Sequence, residues 1–313
     1  MIGDIPIVSF DTSTYNELVK DRPRAEIVLA GLKSGLSFRF VGLSIDEMVA
    51  TADPIKRAAL FAYCSRIQDG LSECIYPHNE LTTRMVEEHH KNPATFDWKK
   101  VDVKAREYER AIRRRELVDD EKLSADQRAD LKARKKEYED MWAGLRPQLD
   151  AVFEKYGECA PPRFREVIAR LQSGSTLIWY MGKLLYDRSA RIDASEATVR
   201  EFIDACPPFR AIIYAMLLSW YDRTVSPEDG EKFEAGRNDL FMAVHLPYCD
   251  KFVTAEKYRE QERCLREVAF VAGLETEVIS YDDFCDSFLV TVNAGRFHYR
   301  PRLNVAEVLE RRL

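Results

Sequence analysis

Four segments of this chain each bring a carboxylate to a comparable structural station. IPIVSFDTSTYNELV sets Asp11 behind an apolar run, and FRFVGLSIDEMVA sets Glu47 in the opening of a helix after a second run. GRNDLFMAVHLPYCDK opens a later helix at Asp239, and DKFVTAEKY ends a further strand at Glu256. If these strands lie parallel, their acids meet at the carboxyl edge of one sheet. Like charges sharing a site must protonate or be neutralised, and a divalent cation does the latter. All-oxygen ligands suit Mg²⁺ or Mn²⁺, hard cations that keep several waters and need neither imidazole nor thiolate. Such a cation acidifies a bound water and stabilises the oxygens of an in-line displacement, which is the chemistry of phosphodiester hydrolysis.

Each acid also has a local reading. Asp11, with Thr12 and Ser13, can cap the helix that follows. Ser44 and Glu47 have capping-box spacing, Asp239 after Asn238 suits a helix start, and Glu256 can be a solvated acid. The joint placement of the four carries the metal reading. Other candidates are weaker. His89 and His90 are adjacent, so on a helix their rings diverge by about 100° and do not face one ion; a solvated or RNA-facing pair is expected. His245 is expected in the core, with a proton-shuttle role as the alternative. Ser13 can hold a metal-bound water or a phosphate through its hydroxyl. Asp250, just before its strand, falls at the opposite edge from Glu256 and is read as structural.

The elements that must position these acids form a βα pattern at both ends of the sequence. IPIVSF is continuously apolar, as in a strand buried on both faces. Pro23 is placed to open a helix through AEIVLAGLKS, with Gly35 as its stop. LSFRFVGL is a second strand, Ser44 begins a helix, and Asp53-Pro54 begins another. Between about Pro77 and Cys206 strand-like runs give way to charged helical stretches such as VKAREYERAIRRREL and QRADLKARKKEYEDMWAGL, interrupted at Pro93, Pro147 and Pro161-Pro162. Pairs such as Glu109 and Arg113 have i, i+4 spacing on a wet face. From Pro208 onward helix, strand (DKFVT), helix (KYREQERCLREVAFVAG, stopping at Gly273) and strand (ETEVIS) alternate again.

This arrangement resembles the PIN-like nuclease domain. The resemblance rests on Asp11 after the first strand, Glu47 in the next helix, Asp239 opening a later one, FVTAE at the next strand end, and the closing ETEVISYDDF. It covers roughly residues 1–75 and 206–290 and departs from the family pattern in having Glu256 where Asp is usual. It implies a PIN-like parallel-sheet α/β/α sandwich, its N-terminal part at 1–75 and C-terminal part at 206–313, interrupted by a mostly α-helical insertion at 76–205. It further implies a Mg²⁺- or Mn²⁺-dependent endoribonuclease in which Asp11, Glu47, Asp239 and Glu256 are the catalytic metal ligands, leaving 5′-phosphate and 3′-hydroxyl ends. Toxin or defence roles are consistent with the resemblance. The alternatives are an inactive PIN-like interaction module and a DNA-directed nuclease.

Charge and composition frame the partner question. The chain has 47 Lys and Arg against 53 Asp and Glu, a net charge of −6, so a nucleic acid would have to be met by local basic patches. Arg113 to Arg115 form one cluster and Lys132, Arg134, Lys135 and Lys136 another, with Tyr108, Tyr138 and Trp142 nearby to stack on bases; a solvated helix face is the competing reading. Arg57, on the helix after Glu47, is the nearer candidate for a substrate phosphate. RNA is expected over DNA, and the insertion is a candidate clamp, partner surface or homo-oligomer contact. Seven scattered cysteines form no CxxC pair and suggest a reducing, cytoplasmic setting. No membrane-length apolar run occurs, the longest being Ala211 to Trp220, and no basic leader opens the chain. No GxSxG, Walker or GxGxxG pattern supports a serine hydrolase, NTPase or dinucleotide enzyme.

Overall fold

A computed structural model describes residues 5–33, 36–68, 72–114, 116–117, 120–154, 163–174, 177–225, 240–255 and 260–293. Its centre is a five-stranded, wholly parallel sheet of order β3-β2-β1-β4-β5, formed by β1 (Ile7–Phe10), β2 (Ser37–Val41), β3 (Glu73–Ile75), β4 (Lys251–Thr254) and β5 (Glu277–Ser280). With helices packed on it, the protein is an α/β fold compatible with an α/β/α sandwich. β1 is the central strand, pairing Val8 with Phe38 of β2 on one side and with Lys251 of β4 on the other. Val8, Ser9 and Phe10 are all buried, as a continuous run covered on both faces requires.

The strand order reverses at β1. The chain steps outward from β1 through β2 to β3, then returns on the other side as β4 and β5. In open parallel sheets this reversal opens a crevice at the carboxyl ends of the two strands, here β1 and β4, where the following connections run to opposite faces.

The first half supplies α1 (Thr12–Lys20), α2 (Arg22–Lys33), α3 (Gly42–Val49) and α4 (Pro54–Ile67). Asp11, not Thr12 or Ser13, is the N-cap of α1, accepting from Thr14 N; Asp53 caps α4 through Ile55 N and Lys56 N, with Pro54 at its first position. Helix α3 starts at Gly42, two residues earlier than Ser44. A β-carbon on Gly42 would lie 2.5 Å from the Ile75 carbonyl and 2.6 Å from Pro77 N, so only glycine lets this turn pass so close to the exit of β3.

Among the described residues between 76 and 205 there is no strand, only the single bridge of Lys104 to Ile75, and the segment forms α5 (His78–Lys91), α6 (Arg106–Arg114), α7 (Glu121–Glu154), α8 (Phe164–Gly174), α9 (Leu177–Ala190) and α10 (Glu196–Ala205). Pro147 lies inside α7 and does not interrupt it. β3 itself is not evident in the sequence pattern. At three residues on the sheet's edge it is too short to show a period, and it is specified by its pairing with β2.

Helix α11 (Pro207–Val225) is buried nearly throughout and leads to the returning half. There the run LFMAVHL is α-helical at Leu240 and Phe241 and continues as a 3₁₀ segment, Met242–Tyr248; the helices α12 (Glu260–Val271) and α13 (Tyr281–Asn293) complete it. Gly273 adopts φ +66 just beyond α12, the left-handed conformation that ends a helix at little cost for glycine. Asp250 accepts from Ile7 N at 2.6 Å, tying the starts of β1 and β4 together, as its placement at the amino edge implied. Gly35 and Pro161-Pro162 lie outside the described residues. Among those described, no single helix is long and apolar enough to cross a membrane.

Candidate functional site

The crevice between β1 and β4 is lined by a carboxylate and a ring of hydroxyls. Asp11 N donates to the Val253 carbonyl at 3.1 Å, extending the ladder one residue past β1, and the chain then turns into α1. This turn points the Asp11 side chain across the crevice toward β4. Its Oδ2 accepts from Thr254 at 2.7 Å and lies 2.7 Å from Ser13 Oγ. Its Oδ1 accepts from Thr14 N at 2.8 Å and lies 2.8 Å from both the Ser13 and Thr14 hydroxyls. Ser13 Oγ in turn accepts from Ala255 N at 2.8 Å, so one serine links the start of α1 to the end of β4.

The Thr14 hydroxyl is also 2.9 Å from the Val253 carbonyl. Having one proton, it serves one acceptor at a time. Asp11 is 2% exposed, and burial raises its carboxyl above the ordinary range while the bonds from Thr254, Thr14 and Ser13 pull the other way.

A second carboxylate joins this group from β2's side. Helix α3 follows β2 directly and packs against α1, which brings Glu47 to the Thr12 hydroxyl, the residue next to Asp11. The capping-box reading of Ser44 and Glu47 is therefore overturned. Ser44 lies inside α3, buried, and donates to the Phe10 carbonyl at 3.3 Å, while Glu47 accepts from Thr12 across the gap between two helices. Asp11, Ser13 and Glu47 thus gather at one sheet edge. Asp239 and Glu256 lie outside the described residues, Glu256 immediately after Ala255.

The donors present are all hard oxygens, carboxylate and hydroxyl, which fits Mg²⁺ or Mn²⁺ and would not select a thiolate-seeking metal. Among the described residues no three or more His, Cys, Asp or Glu side chains come together to hold an ion. Asp11 and Glu47 supply two carboxylates. A cation approaching Asp11 would also have to displace hydroxyl donors from an oxygen that already accepts.

The sequence missed two layers of this site. Thr14 and Thr254 complete the Asp11 network, and their only local sign is a hydroxyl at the N3 position of α1 and another in the last place of β4. Asp46, adjacent to Glu47, is 3% exposed and accepts from Tyr108 at 2.7 Å, with Arg134 of α7 at 3.6 Å. Burial pushes the Asp46 carboxyl up to about 6, against the opposing pull of Tyr108 and Arg134.

Several expected substrate contacts are reassigned. Arg57 is fully buried; its guanidinium donates to the Thr51 carbonyl at 2.7 Å, to Ser124 at 2.9 Å, and to Glu121, so it fastens α4 to the start of α7 and is closed to a substrate phosphate. This cation in the first turn of α4 is internal because the start of α7 folds over it. Tyr138 is buried edge-on against Phe241 at 5.2 Å and offers no free face to a base, while Tyr108 is half-buried with its hydroxyl bonded to Asp46. Arg134 pairs with Asp130 at 2.5 Å.

Arg113 and Arg114 are exposed on α6, which packs on β3 and α4, two strands from Asp11; Arg114 pairs with Glu116 at 3.4 Å. Arg115 lies outside the described residues, as does the side chain of Trp142. Lys135 is partly exposed on α7, beside α3. Glu109 accepts from Cys74 N at 2.9 Å and so anchors β3.

The histidine pair divides as helical geometry requires. His90 is exposed, but His89 is buried with Nδ1 2.9 Å from the Tyr186 hydroxyl, which corrects the expectation of a solvated or RNA-facing pair. His245 is buried with Nε2 3.0 Å from the Tyr76 carbonyl, and burial lowers it to about 4. No family model, curated protein or solved structure matches this chain.

Proposed function

We propose that the protein is a metal-dependent endoribonuclease of PIN-like type, with its centre in the crevice between β1 and β4. The observation that supports this most directly is the convergence of Asp11 and Glu47, from separate βα units, on either side of Thr12 at the carboxyl edge where the strand order reverses. Asp11 and Glu47 would hold Mg²⁺ or Mn²⁺, with Asp239 and Glu256 as the further ligands the resemblance implies. When bound, the cation supplies an acidified water and charge neutralisation for phosphodiester hydrolysis. The chain's own contribution is positional. Thr254, Ser13 and Thr14 hold the Asp11 carboxylate at one orientation, Thr12 holds Glu47, and the Ser13 hydroxyl would meet a substrate phosphate only by turning its one proton away from Asp11. Arg113, Arg114 and Lys135 remain as candidate contacts to more distant phosphates, and the helices between 76 and 205 as a clamp or partner surface.

A second reading is an interaction module without catalysis. The saturation of both Asp11 oxygens favours it, since that is also how a buried structural cap behaves. Cleavage of labelled single-stranded RNA with Mn²⁺, alongside a DNA strand of the same sequence, separates these readings. The nuclease reading expects RNA cleavage that falls at least about a hundredfold in Asp11→Asn and in Glu47→Gln, with both variants folded by circular dichroism. Cleavage of DNA in preference to RNA would make the enzyme a DNA-directed nuclease. Activity equal in parent and variants, or absent from all, refutes a catalytic role for this centre.

A further inference from the structure

A cavity of about 240 Å³ lies beneath α7, where α5, α7, α9 and α11 meet. His78 and Thr82 line it from the first turns of α5, four residues apart and so on one helix face. Both are more than nine-tenths buried, and His78 Nδ1 and Thr82 Oγ1 have no hydrogen-bond partner. Arg134 is also in the lining, but its buried Nη1 faces the Asp46 carboxylate at 3.6 Å. Unsatisfied buried polar atoms are costly and uncommon, and two on one helix face around one cavity need a common explanation.

Hydrogen-bonding capacity identifies what is missing. A hydroxyl and, in the right tautomer, an imidazole N–H both donate, so a partner rich in acceptors satisfies both. Helix α5 has no side-chain cap at its N-terminus, where Pro77 stands, so the positive end of its dipole lies at the same end of the helix as His78. Two guanidiniums, Arg134 and Arg188, face the cavity against one lining carboxylate, Glu137, which pairs with Arg188 at 2.5 Å. Asp130 and Asp46 draw on Arg134 from outside the lining. Burial, then Arg134, His245 and Arg188, hold His78 well below the usual imidazole range, so it is neutral and the field on it is positive. Its ring is fixed by stacking on Phe241, centroids 4.1 Å apart.

We propose that this cavity binds a phosphate monoester group, free or carried on a small molecule, through His78, Thr82, Arg134 and Arg188 at the start of α5. The site is separate from the Asp11 crevice and does not rest on the nuclease reading. The volume exceeds what a phosphate alone fills, which leaves room for a small attached group.

The test is calorimetric titration of the full chain, in chelator and at constant ionic strength set with chloride, using inorganic phosphate in one arm and adenosine 5′-monophosphate in the other. The proposal expects saturable one-to-one binding in at least one arm. Thr82→Val and Arg188→Gln are each expected to weaken it about tenfold, the loss that follows from one charge-assisted hydrogen bond. Thr82→Val removes an unpaired hydroxyl at nearly constant volume, so the variant is expected to fold and to melt no lower than the parent without ligand. Tighter binding of the nucleotide supports a carried phosphate, and equal binding supports free phosphate. No saturable binding in either arm, or parent-like affinity in both variants, overturns the proposal. Chelation keeps cleavage out of the readout, so this result and that of the RNA assay are independent.

Discussion

Asp46 gives the most direct physical test of the packing between α3 and α7. Its carboxyl is raised from 3.8 to about 6, chiefly by burial. A group whose folded value is raised favours the folded state while protonated and loses that contribution as pH rises through the folded value. Asp46 therefore costs nothing at low pH and becomes a penalty between about pH 4 and pH 6, worth about 3 kcal/mol when fully ionised. Asp46→Asn removes the titration and keeps an oxygen to accept from Tyr108. Relative to this variant, the parent should lose about 2 kcal/mol between about pH 4.5 and about pH 7. With an unfolding entropy of about 2.1 cal/mol/K per residue, that is about 3 °C of Tm. The assay is calorimetric melting of both proteins across that range, taking the difference in Tm at each pH so that all other titrating groups cancel. A difference that stays constant with pH would show that Asp46 ionises normally, and that α7 does not shield it as described.

Three other outcomes follow from particular contacts. Arg57→Met should lower stability by about 2–4 kcal/mol, because Ser124 and the Thr51 carbonyl lose a buried charged donor, and urea unfolding with an unchanged m-value checks it. Gly42→Ala should cost at least about 1–3 kcal/mol, since the new methyl meets backbone that cannot rotate away, and thermal unfolding checks it. Thr14→Val should destabilise by about 1–2 kcal/mol by removing a donor to buried Asp11, and the loss should be smaller in an Asp11→Asn background, as a double-mutant cycle on thermal unfolding will show.

Much of the fold was legible because its signals are local. IPIVSF and DKFVT read as buried strands from unbroken apolar runs, Asp53-Pro54 as a helix start, and Gly273 as a stop, each decided by a few neighbouring residues. The absence of strands from the described residues of the middle segment was visible for the same reason. Asp11 was singled out by its place at a strand end, and Asp250 was separable from it because the two fall at opposite ends of parallel strands.

Tertiary structure alone decided the partners. Ser44 and Glu47 had capping-box spacing, yet one turned inward to the Phe10 carbonyl and the other across to Thr12. Arg57 carried the pattern of an exposed cation until α7 closed over it, and His89 differed from His90 only in the face it presented to Tyr186. Strand order, and with it the crevice that gathers Asp11, Ser13 and Thr254, depends on pairings between residues some 240 positions apart. Local propensity acts over a few residues, whereas burial and hydrogen-bond satisfaction are set by whichever distant surface arrives. The sequence could therefore name the acids, and only the folded chain could determine which of them stand together and which polar atoms are left unmatched.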